Sequence, residues 1–207
     1  MLDAIKWLGH ASFVIEYADK VIYIDPWEIG VSKPADIIFI THSHFDHFSP
    51  SDLVKITTQK TRIIAPAGCD KGIPAEAELI TVAPGDEKEV LGVEFKAVAA
   101  YNIKAQFHPK SNGWVGYVIK LGETSLYHSG DSDLIPEMDN LKVDIALLPI
   151  APPYTMNAKE AAEAAKRIKA KVVIPMHYGK ITGSKNDINI LKENLSKDIE
   201  LKIYAVV

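Results

Sequence analysis

The sequence has few of the features that membrane anchors and small domains stabilised by disulfides or zinc require. Cys69 is the only cysteine among 207 residues, so a disulfide framework and a zinc module built on thiolates are both excluded. Cys69 follows a turn-like Pro-Ala-Gly stretch and is expected to be a small buried residue. Apolar runs stay below the roughly 18 residues that cross a bilayer, and the first residues lack a signal-peptide pattern. We therefore expect a cytoplasmic chain with no membrane partner.

An excess of positive charge is also missing. The 23 Lys and Arg residues are outnumbered by 27 Asp and Glu, for a formal net charge of -4. A general basic surface for nucleic acid therefore finds no support, and stable nucleic-acid binding is not expected. A nuclease that meets its substrate only at metal ions remains open. The expected partner is a small-molecule substrate, and a homo-oligomer is compatible with the sequence.

The composition is that of an ordinary globular chain, with 47% hydrophobic and 24% charged residues. No linker rich in Pro, Gly or Ser separates the two halves. We therefore expect residues 1–207 to form a single domain.

Short apolar runs bounded by turn residues predict strands in both halves. The predicted strands are residues 12–17, 21–25, 35–41, 61–66, 93–100, 114–121, 124–128, 146–150, 171–176 and 201–207. Helices are predicted at residues 51–57, at residues 188–195 and from Asn157 to about Lys169, where Glu160 completes a capping box.

Three segments recur in the same order in both halves. Residues 13–16 and 21–23 align without gaps on 117–120 and 125–127, residues 36–40 align on 144–148, and residues 62–66 align on 171–175. Each match alone is weak, because short apolar strands resemble one another. Their common order suggests a duplicated β-hairpin/β-α-β unit. Two such units would pack sheet on sheet with helices outside, as an α/β sandwich of four layers (αββα).

Three histidines and an aspartate follow the predicted strand at residues 35–41, namely His42, His44, Asp46 and His47. In an extended chain the first two share a face and can reach one cation. A turn after Phe45 would direct the other two towards a second cation. Imidazole with carboxylate suits Zn²⁺ and also Mn²⁺ or Fe²⁺. The alternative, a solvated histidine-rich turn, explains this density of donors poorly.

Two further candidates lie just beyond predicted strands of the second half. Asp131 follows Gly130, which permits a sharp turn, and its carboxylate is suited to bridging two metals. His177 follows the strand at residues 171–176. In isolation Asp131 is as readily a turn former and His177 a structural histidine. Their shared position at strand ends favours the interpretation as ligands.

These pieces resemble the metallo-β-lactamase superfamily, and within it the branch similar to L-ascorbate-6-phosphate lactonase and a large family of metal-dependent hydrolases. The matching stretches spread over nearly the whole chain: residues 7–13, 24–26, 41–47, 113–119, 127–133, 155–156 and 175–179. The resemblance implies the αββα metallo-β-lactamase fold and two divalent metal ions per chain. Zn²⁺ is the expected ion, with Mn²⁺ or Fe²⁺ as alternatives.

The resemblance also implies which residues hold each ion. Carried over position by position, the ligands are His42 and His44 for the first metal, Asp46, His47 and His177 for the second, and Asp131 between the two. A metal-bound hydroxide would then attack the substrate, and Asp46 and Asp131 are the candidate catalytic residues that manage its proton.

The third ligand of the first metal departs from the superfamily pattern. Superfamily members usually place a histidine soon after the strand equivalent to residues 93–100, and here Tyr101 and Asn102 stand in that stretch. His108 is the nearest substitute, on a loop long enough to fold back. The alternative is an exposed loop histidine and a weakly held first metal.

Five more residues are candidates for touching substrate or supporting the ligands. His10 either lines the pocket or is a packed structural histidine, and His128 either orients Asp131 or binds substrate. Asp25 is placed to hydrogen-bond a metal-bound histidine. Lys110 and Lys180 are the nearest cations for a phosphate group on the substrate.

The implied activity is hydrolysis of a small lactone or ester, with or without a phosphate group. The alternative on the same fold is a phosphodiesterase or nuclease, and the alternative of another class is a non-catalytic metal-binding regulatory module. A redox di-iron enzyme would normally carry Glu in place of His44, together with a flavin domain, and is not expected.

Overall fold

The computed structural model describes residues 1–30 and 32–207. The chain divides into two compact units, the first made of residues 1–83 and 205–207 and the second of residues 84–204. Each unit is built on one β-sheet with few helices, so the fold is mixed α/β, as predicted.

The first unit contains a six-stranded sheet. Its strands, in both chain and spatial order, are β1 (Ile5–Gly9), β2 (Ser12–Tyr17), β3 (Lys20–Ile24), β4 (Ile37–Phe39), β5 (Arg62–Pro66) and β6 (Glu78–Val82). The pairs among β1, β2 and β3 are antiparallel, and the later pairs are parallel. Helix α1 (Pro50–Ile56) contributes Leu53 and Ile56 to a buried cluster that also holds Ile38 and Ile63. This apolar burial is the main force that holds the helix to the sheet.

The second unit contains a seven-stranded sheet and two longer helices. Its strands are β7 (Glu87–Val90), β8 (Val93–Ala99), β9 (Val115–Leu121), β10 (Thr124–His128), β11 (Ile145–Pro149), β12 (Val172–Met176) and β13 (Glu200–Leu201), with the spatial order β13-β12-β11-β10-β9-β8-β7. Pairs from β7 to β10 are antiparallel, and pairs from β10 to β13 are parallel.

Helices α2 (Ala158–Arg167) and α3 (Lys185–Asn194) each begin with a capping box. Asn157 accepts from the backbone N–H of Glu160, whose carboxylate accepts from the Asn157 backbone in return. The predicted start of α2 is confirmed. In α2 the alanines at every buried position form a flat face, which allows close packing.

The duplication inferred from the sequence is present in the topology. In each unit an antiparallel hairpin (β2–β3, β9–β10) is followed by two parallel pairings (β3–β4–β5, β10–β11–β12). In each unit an aspartate just before the second of these strands makes the same pair of hydrogen bonds to the hairpin. Asp36 accepts from Val21 N at 2.8 Å and donates its own N–H to Val21 O. Asp144 makes the same two contacts with Ser125, the residue that the gapless alignment pairs with Val21.

An edge strand is present as predicted, but it covers only the start of the predicted residues 201–207. β13 ends at Leu201, and Val206 instead forms a parallel bridge with Trp7 in the first unit. The strands β1, β6 and β7 were not predicted. β7 begins Glu-Lys-Glu with all three side chains exposed, and such a run has no apolar signature.

Cys69 is fully buried, and burial raises the pKa of its thiol to about 12, so it is an inert packed residue. Among the described residues, every helix falls short of the length and apolar content needed to cross a bilayer.

The aspartate of the second unit generates a prediction about acid stability. Hydrogen bonds from Lys171 and from the Ser125 backbone lower the pKa of Asp144 from 3.8 to about 2. The ionised carboxylate therefore stabilises the fold above about pH 4, and this stabilisation is lost as the pH falls towards 2. We expect Asp144→Asn to lower the free energy of unfolding at pH 7 by about 1–2 kcal/mol. It should also flatten the decline in stability between pH 4 and pH 2 in urea unfolding curves.

The matched control is Asp139→Asn. Asp139 makes an exposed ion pair with Arg167 at 3.4 Å, which contributes little. An acid decline in Asp144→Asn that matches the wild-type curve would contradict the assignment.

Candidate metal centre

The His/Asp motif of the first unit lies on a tight turn just after β4. The backbone N–H groups of His47 and Phe48 both donate to His44 O, at 3.0 and 2.8 Å. This turn brings the imidazoles together, with His42 Nε2 3.0 Å from His44 Nδ1 and the rings of His42 and His47 4.0 Å apart. Without this turn, the side chains of the motif could not all point towards the same region.

A buried carboxylate fixes two of these rings. Asp25, fully buried, accepts from Thr41 N at 2.7 Å and from Thr41 Oγ1 at 2.6 Å, and its Oδ2 lies 2.7 Å from His47 Nδ1. Because a carboxylate only accepts, His47 carries its proton on Nδ1. The Thr41 hydroxyl donates its only proton to the hydrogen bond with Asp25, so it accepts a hydrogen bond from His42 Nδ1 at 2.9 Å. In their neutral forms both histidines therefore have unprotonated Nε2 atoms.

This donor set fits a divalent metal ion. Asp25, His42 and His47 are all buried, and their potential ligand atoms lie within 4.8 Å of one another. Because the oxygens of Asp25 already accept from Thr41 and His47, the two imidazoles are the metal donors of this group. Neutral imidazoles whose second nitrogen is hydrogen-bonded to an acceptor are the usual form of metal-binding histidines. Imidazole and carboxylate without thiolate suit Zn²⁺, Mn²⁺ or Fe²⁺.

His10 is packed against the motif. Its Nε2 lies 3.0 Å from Asp46 Oδ2, and its ring centroid lies 5.0 Å from that of Trp27. Its backbone has φ of 52°, and Asp25 has φ of 45°, a region that side chains other than glycine rarely adopt. Strained backbone concentrates at functional sites, and no sequence signal reveals it.

In the second unit Asp131 and His177 lie next to each other. Asp131 Oδ2 is 3.0 Å from His177 Nε2, and both residues are buried. They follow β10 and β12, two strands of one sheet that run parallel. His177 also has a positive φ, 61°. His128 Nδ1 accepts from Gly130 N at 3.1 Å, so His128 supports the turn that carries Asp131.

Gly116 is required by the same turn. A Cβ at this residue would lie 2.6 Å from His128 O and 2.9 Å from Ser129 C. β9 can therefore approach the end of β10 only without a side chain.

His108 is not an exposed loop histidine. It is 1% exposed, and its ring packs on Trp114 with centroids 4.3 Å apart. Its carbonyl accepts from Asn102 N at 2.8 Å. The loop therefore folds back and places His108 beside the stretch where the superfamily usually has its histidine.

The two candidate lysines differ in their surroundings. Lys110 Nζ lies 2.7 Å from Glu137 Oε1 and 4.6 Å from the ring centroid of Tyr101. Its side chain remains exposed, and the hydrogen bond to Glu137 raises its pKa. Lys180 is exposed just after Gly179.

Comparison with known proteins identifies the family. The profile of the Beta-lactamase superfamily domain matches residues 4–177. The chain belongs to this superfamily. A UPF0173 metal-dependent hydrolase of Pyrobaculum calidifontis is 32% identical, covering 98% of this chain and 96% of the relative. A second such relative, from Methanopyrus kandleri, is 33% identical over 96% of this chain and 95% of its own length.

A solved structure agrees over the same extent. A protein from Parabacteroides distasonis assigned as a metal-dependent hydrolase superposes with a TM-score of 0.87 at 32% identity, covering 97% of this chain and 91% of that chain. The metallo-β-lactamase fold is thereby confirmed. The chain groups with the metal-dependent hydrolases of this superfamily.

Sequence reasoning missed the residue that anchors the loop of His108 in this superfamily member. Asp133, 9% exposed, accepts from Ile103 N at 2.8 Å, from Lys104 N at 3.3 Å and from Asn102 Nδ2 at 3.3 Å. The partners lie about 30 residues earlier in the chain. The only signal was its place at the end of the stretch 127–133, which matches the superfamily.

This anchor predicts a local effect of Asp133→Ala. The substitution leaves two backbone N–H groups without their acceptor and removes one of the two hydrogen bonds of the Asn102 amide, so we expect the free energy of unfolding to fall by about 1–3 kcal/mol. Proteolysis between residues 103 and 107 should become faster, measured by mass spectrometry of timed digests. Lys104→Ala, which removes only an exposed ion pair with Glu160, is the control. Equal digestion of Asp133→Ala and wild type would rule out the anchor.

Proposed function

We propose that this chain hydrolyses a small lactone or ester at a binuclear metal centre, with residues 1–207 working as one metallo-hydrolase domain. The observation that carries the proposal is the buried group of Asp25, His42 and His47, in which acceptors at the Nδ1 atoms of both histidines leave each neutral imidazole with an unprotonated Nε2. A histidine-rich turn without function has no need of a buried carboxylate that orients its rings.

The ligand set that we propose combines the donors of the first unit with those of the second. The first metal is assigned to His42 and His44, with His108 as third ligand, the second to Asp46, His47 and His177, and Asp131 to both. The family membership and the burial of His108 support this assignment. Asp25 acts by holding the His47 ring, and His128 by supporting the Asp131 turn.

The residues of the chain orient the ions and handle the proton. Two divalent ions, when bound by these residues, would lower the pKa of a water molecule and polarise a substrate oxygen. One of the two carboxylates, Asp46 or Asp131, would accept the proton that the attacking water loses and would return it to the leaving oxygen of the ester or lactone. Asp46 is hydrogen-bonded to His10 at 3.0 Å, which holds its carboxylate in one orientation. Burial of these groups strengthens their electrostatic effect on the reacting atoms.

A neutral or singly charged substrate suits the charges of this chain better than a polyanion. The formal net charge is -4, and Lys110 is already paired with Glu137. A lactone or ester carbonyl has one oxygen to polarise, whereas a phosphodiester spreads charge over two oxygens and favours added cations. We therefore propose lactones and small esters as substrates in preference to phosphodiesters. Lys180 and Lys110 remain the candidates for binding a remote phosphate group.

The metal centre predicts a stoichiometry and a dependence on Asp25. Protein reconstituted with Zn²⁺ or Mn²⁺ should contain two metal ions per chain by elemental analysis. Asp25→Asn should weaken metal affinity about 10- to 100-fold, because the amide no longer fixes the His47 ring. Competition with a chelator measures this change.

The control for this experiment is Asp70→Asn, an exposed residue outside the motif. At most one metal per chain under saturating metal would overturn the binuclear proposal. An unchanged affinity in Asp25→Asn would remove Asp25 from the site.

The substrate choice is tested with a panel of reactants. We expect metal-dependent hydrolysis of small lactones or esters, with little cleavage of bis(p-nitrophenyl) phosphate or single-stranded RNA. Asp131→Asn should reduce the rate at least about 100-fold, as loss of an electrostatic or proton-handling group does. The opposite preference, efficient RNA cleavage with no hydrolysis across the lactone panel, would replace this proposal with the phosphodiesterase. A metal-loaded protein inert to both classes would favour a regulatory module.

A further inference from the structure

The first unit exposes a large aromatic side chain between its candidate ligands. Phe45 is 68% exposed and is flanked in sequence by His44 and Asp46. Its ring lies edge-on to Trp27, with centroids 6.0 Å apart and an interplanar angle of 79°. Trp27 in turn contacts the ring of His10. An aromatic pair is thus continuous with the residues that surround the Asp46 carboxylate.

The backbone beneath this aromatic pair is held in place on both sides. Trp27 N donates to Ser12 Oγ at 3.0 Å. The next two residues donate to one carboxylate, Glu28 N to Asp52 Oδ2 at 2.8 Å and Ile29 N to Asp52 Oδ1 at 3.3 Å. Burial would raise the pKa of Asp52, but hydrogen bonds from Lys55, Ser49 and the Glu28 backbone outweigh this and lower it. The carboxylate thus stays ionised at neutral pH and anchors the Trp27 loop.

The turn that carries Phe45 is also fixed, through the backbone bonds to His44 O. The backbone that carries both rings is therefore fixed before any ligand arrives, which reduces the entropy lost on binding. Exposed aromatic side chains beside convergent polar groups are typical of small-molecule sites.

We propose that Phe45 and Trp27 form the specificity wall of the site and bind an apolar group, aryl or alkyl, of the ester or lactone substrate. The inference rests on the proposed function for the reaction itself. The wall favours an apolar group over an anion, because it presents the edge and face of two aromatic rings to its occupant.

The occupant is a substrate group and not a second copy of the chain, for two reasons. The wall consists of two rings, a surface too small for a stable dimer, which needs roughly 800 Å² per partner. It is also joined by direct contacts to His10 and Asp46, groups that a small reactant would have to approach.

The test uses two carboxylates that differ only by a phenyl ring. Phenylacetate and acetate are titrated into metal-loaded protein by calorimetry, a measurement that needs no turnover. We expect wild type to bind phenylacetate about tenfold more tightly, because the wall removes part of the phenyl ring from water. Phe45→Ala should reduce the preference to less than about threefold and leave acetate affinity unchanged. Phe45→Leu should retain most of it.

Val54→Ala is the matched control. Val54 is 64% exposed on α1 and is not among the motif residues, so its truncation should leave the preference intact. For a phenyl-bearing ester, Phe45→Ala should raise KM with little change in kcat, since it removes a contact remote from the reacting bond.

Three outcomes overturn the proposal. Equal or undetectable binding of the two carboxylates by wild type would do so, as would a preference that survives in Phe45→Ala. A dimer that dissociates in Phe45→Ala, seen by sedimentation with unchanged preference, would assign the wall to a second copy of the chain. The binding result stands even if the chain hydrolyses no ester, so failure of the wall and failure of the proposed function are distinguishable.

Discussion

The hydrogen bonds of Asp25 are the constraint on which the first unit's donors depend. A buried carboxylate costs several kcal/mol unless it is paired and hydrogen-bonded, and Asp25 is fully buried. Its oxygens are satisfied by Thr41 and His47, and through Thr41 the same carboxylate determines which nitrogen of His42 carries a proton. One side chain thus fixes two imidazoles, and the positive φ of its own backbone is tolerated because these bonds hold it.

The duplicated architecture explains where the remaining donors come from. Each unit ends its parallel strands with polar side chains, the His/Asp motif after β4 in the first, and Asp131 and His177 after β10 and β12 in the second. Asp36 and Asp144 make equivalent contacts at the other end of their strands. The repeated sheet therefore places its candidate ligands at the ends of strands, which is the usual location of functional sites in α/β folds.

The sequence was most informative where the structural cause is local. The run of residues 124–128 and the capping box at Asn157 depend on neighbours in the chain, and both were predicted accurately. The motif after β4 was recognisable for the same reason, since its donors lie within six residues. By contrast, β7 is a polar edge strand defined by pairing with β8. The anchoring role of Asp133 depends on partners about 30 residues away, which no local pattern contains.

The position of Phe45 has a consequence for how this molecule can change. Its side chain points to solvent while its neighbours in sequence carry the candidate ligands, and the turn is closed by the backbone of His44. Replacements at this position alter the shape and polarity offered to a reactant without moving a metal donor. Substrate preference can therefore drift among descendants by single steps while the hydrolytic apparatus stays constant, a separation that favours evolvability and gives protein engineers one residue to randomise first.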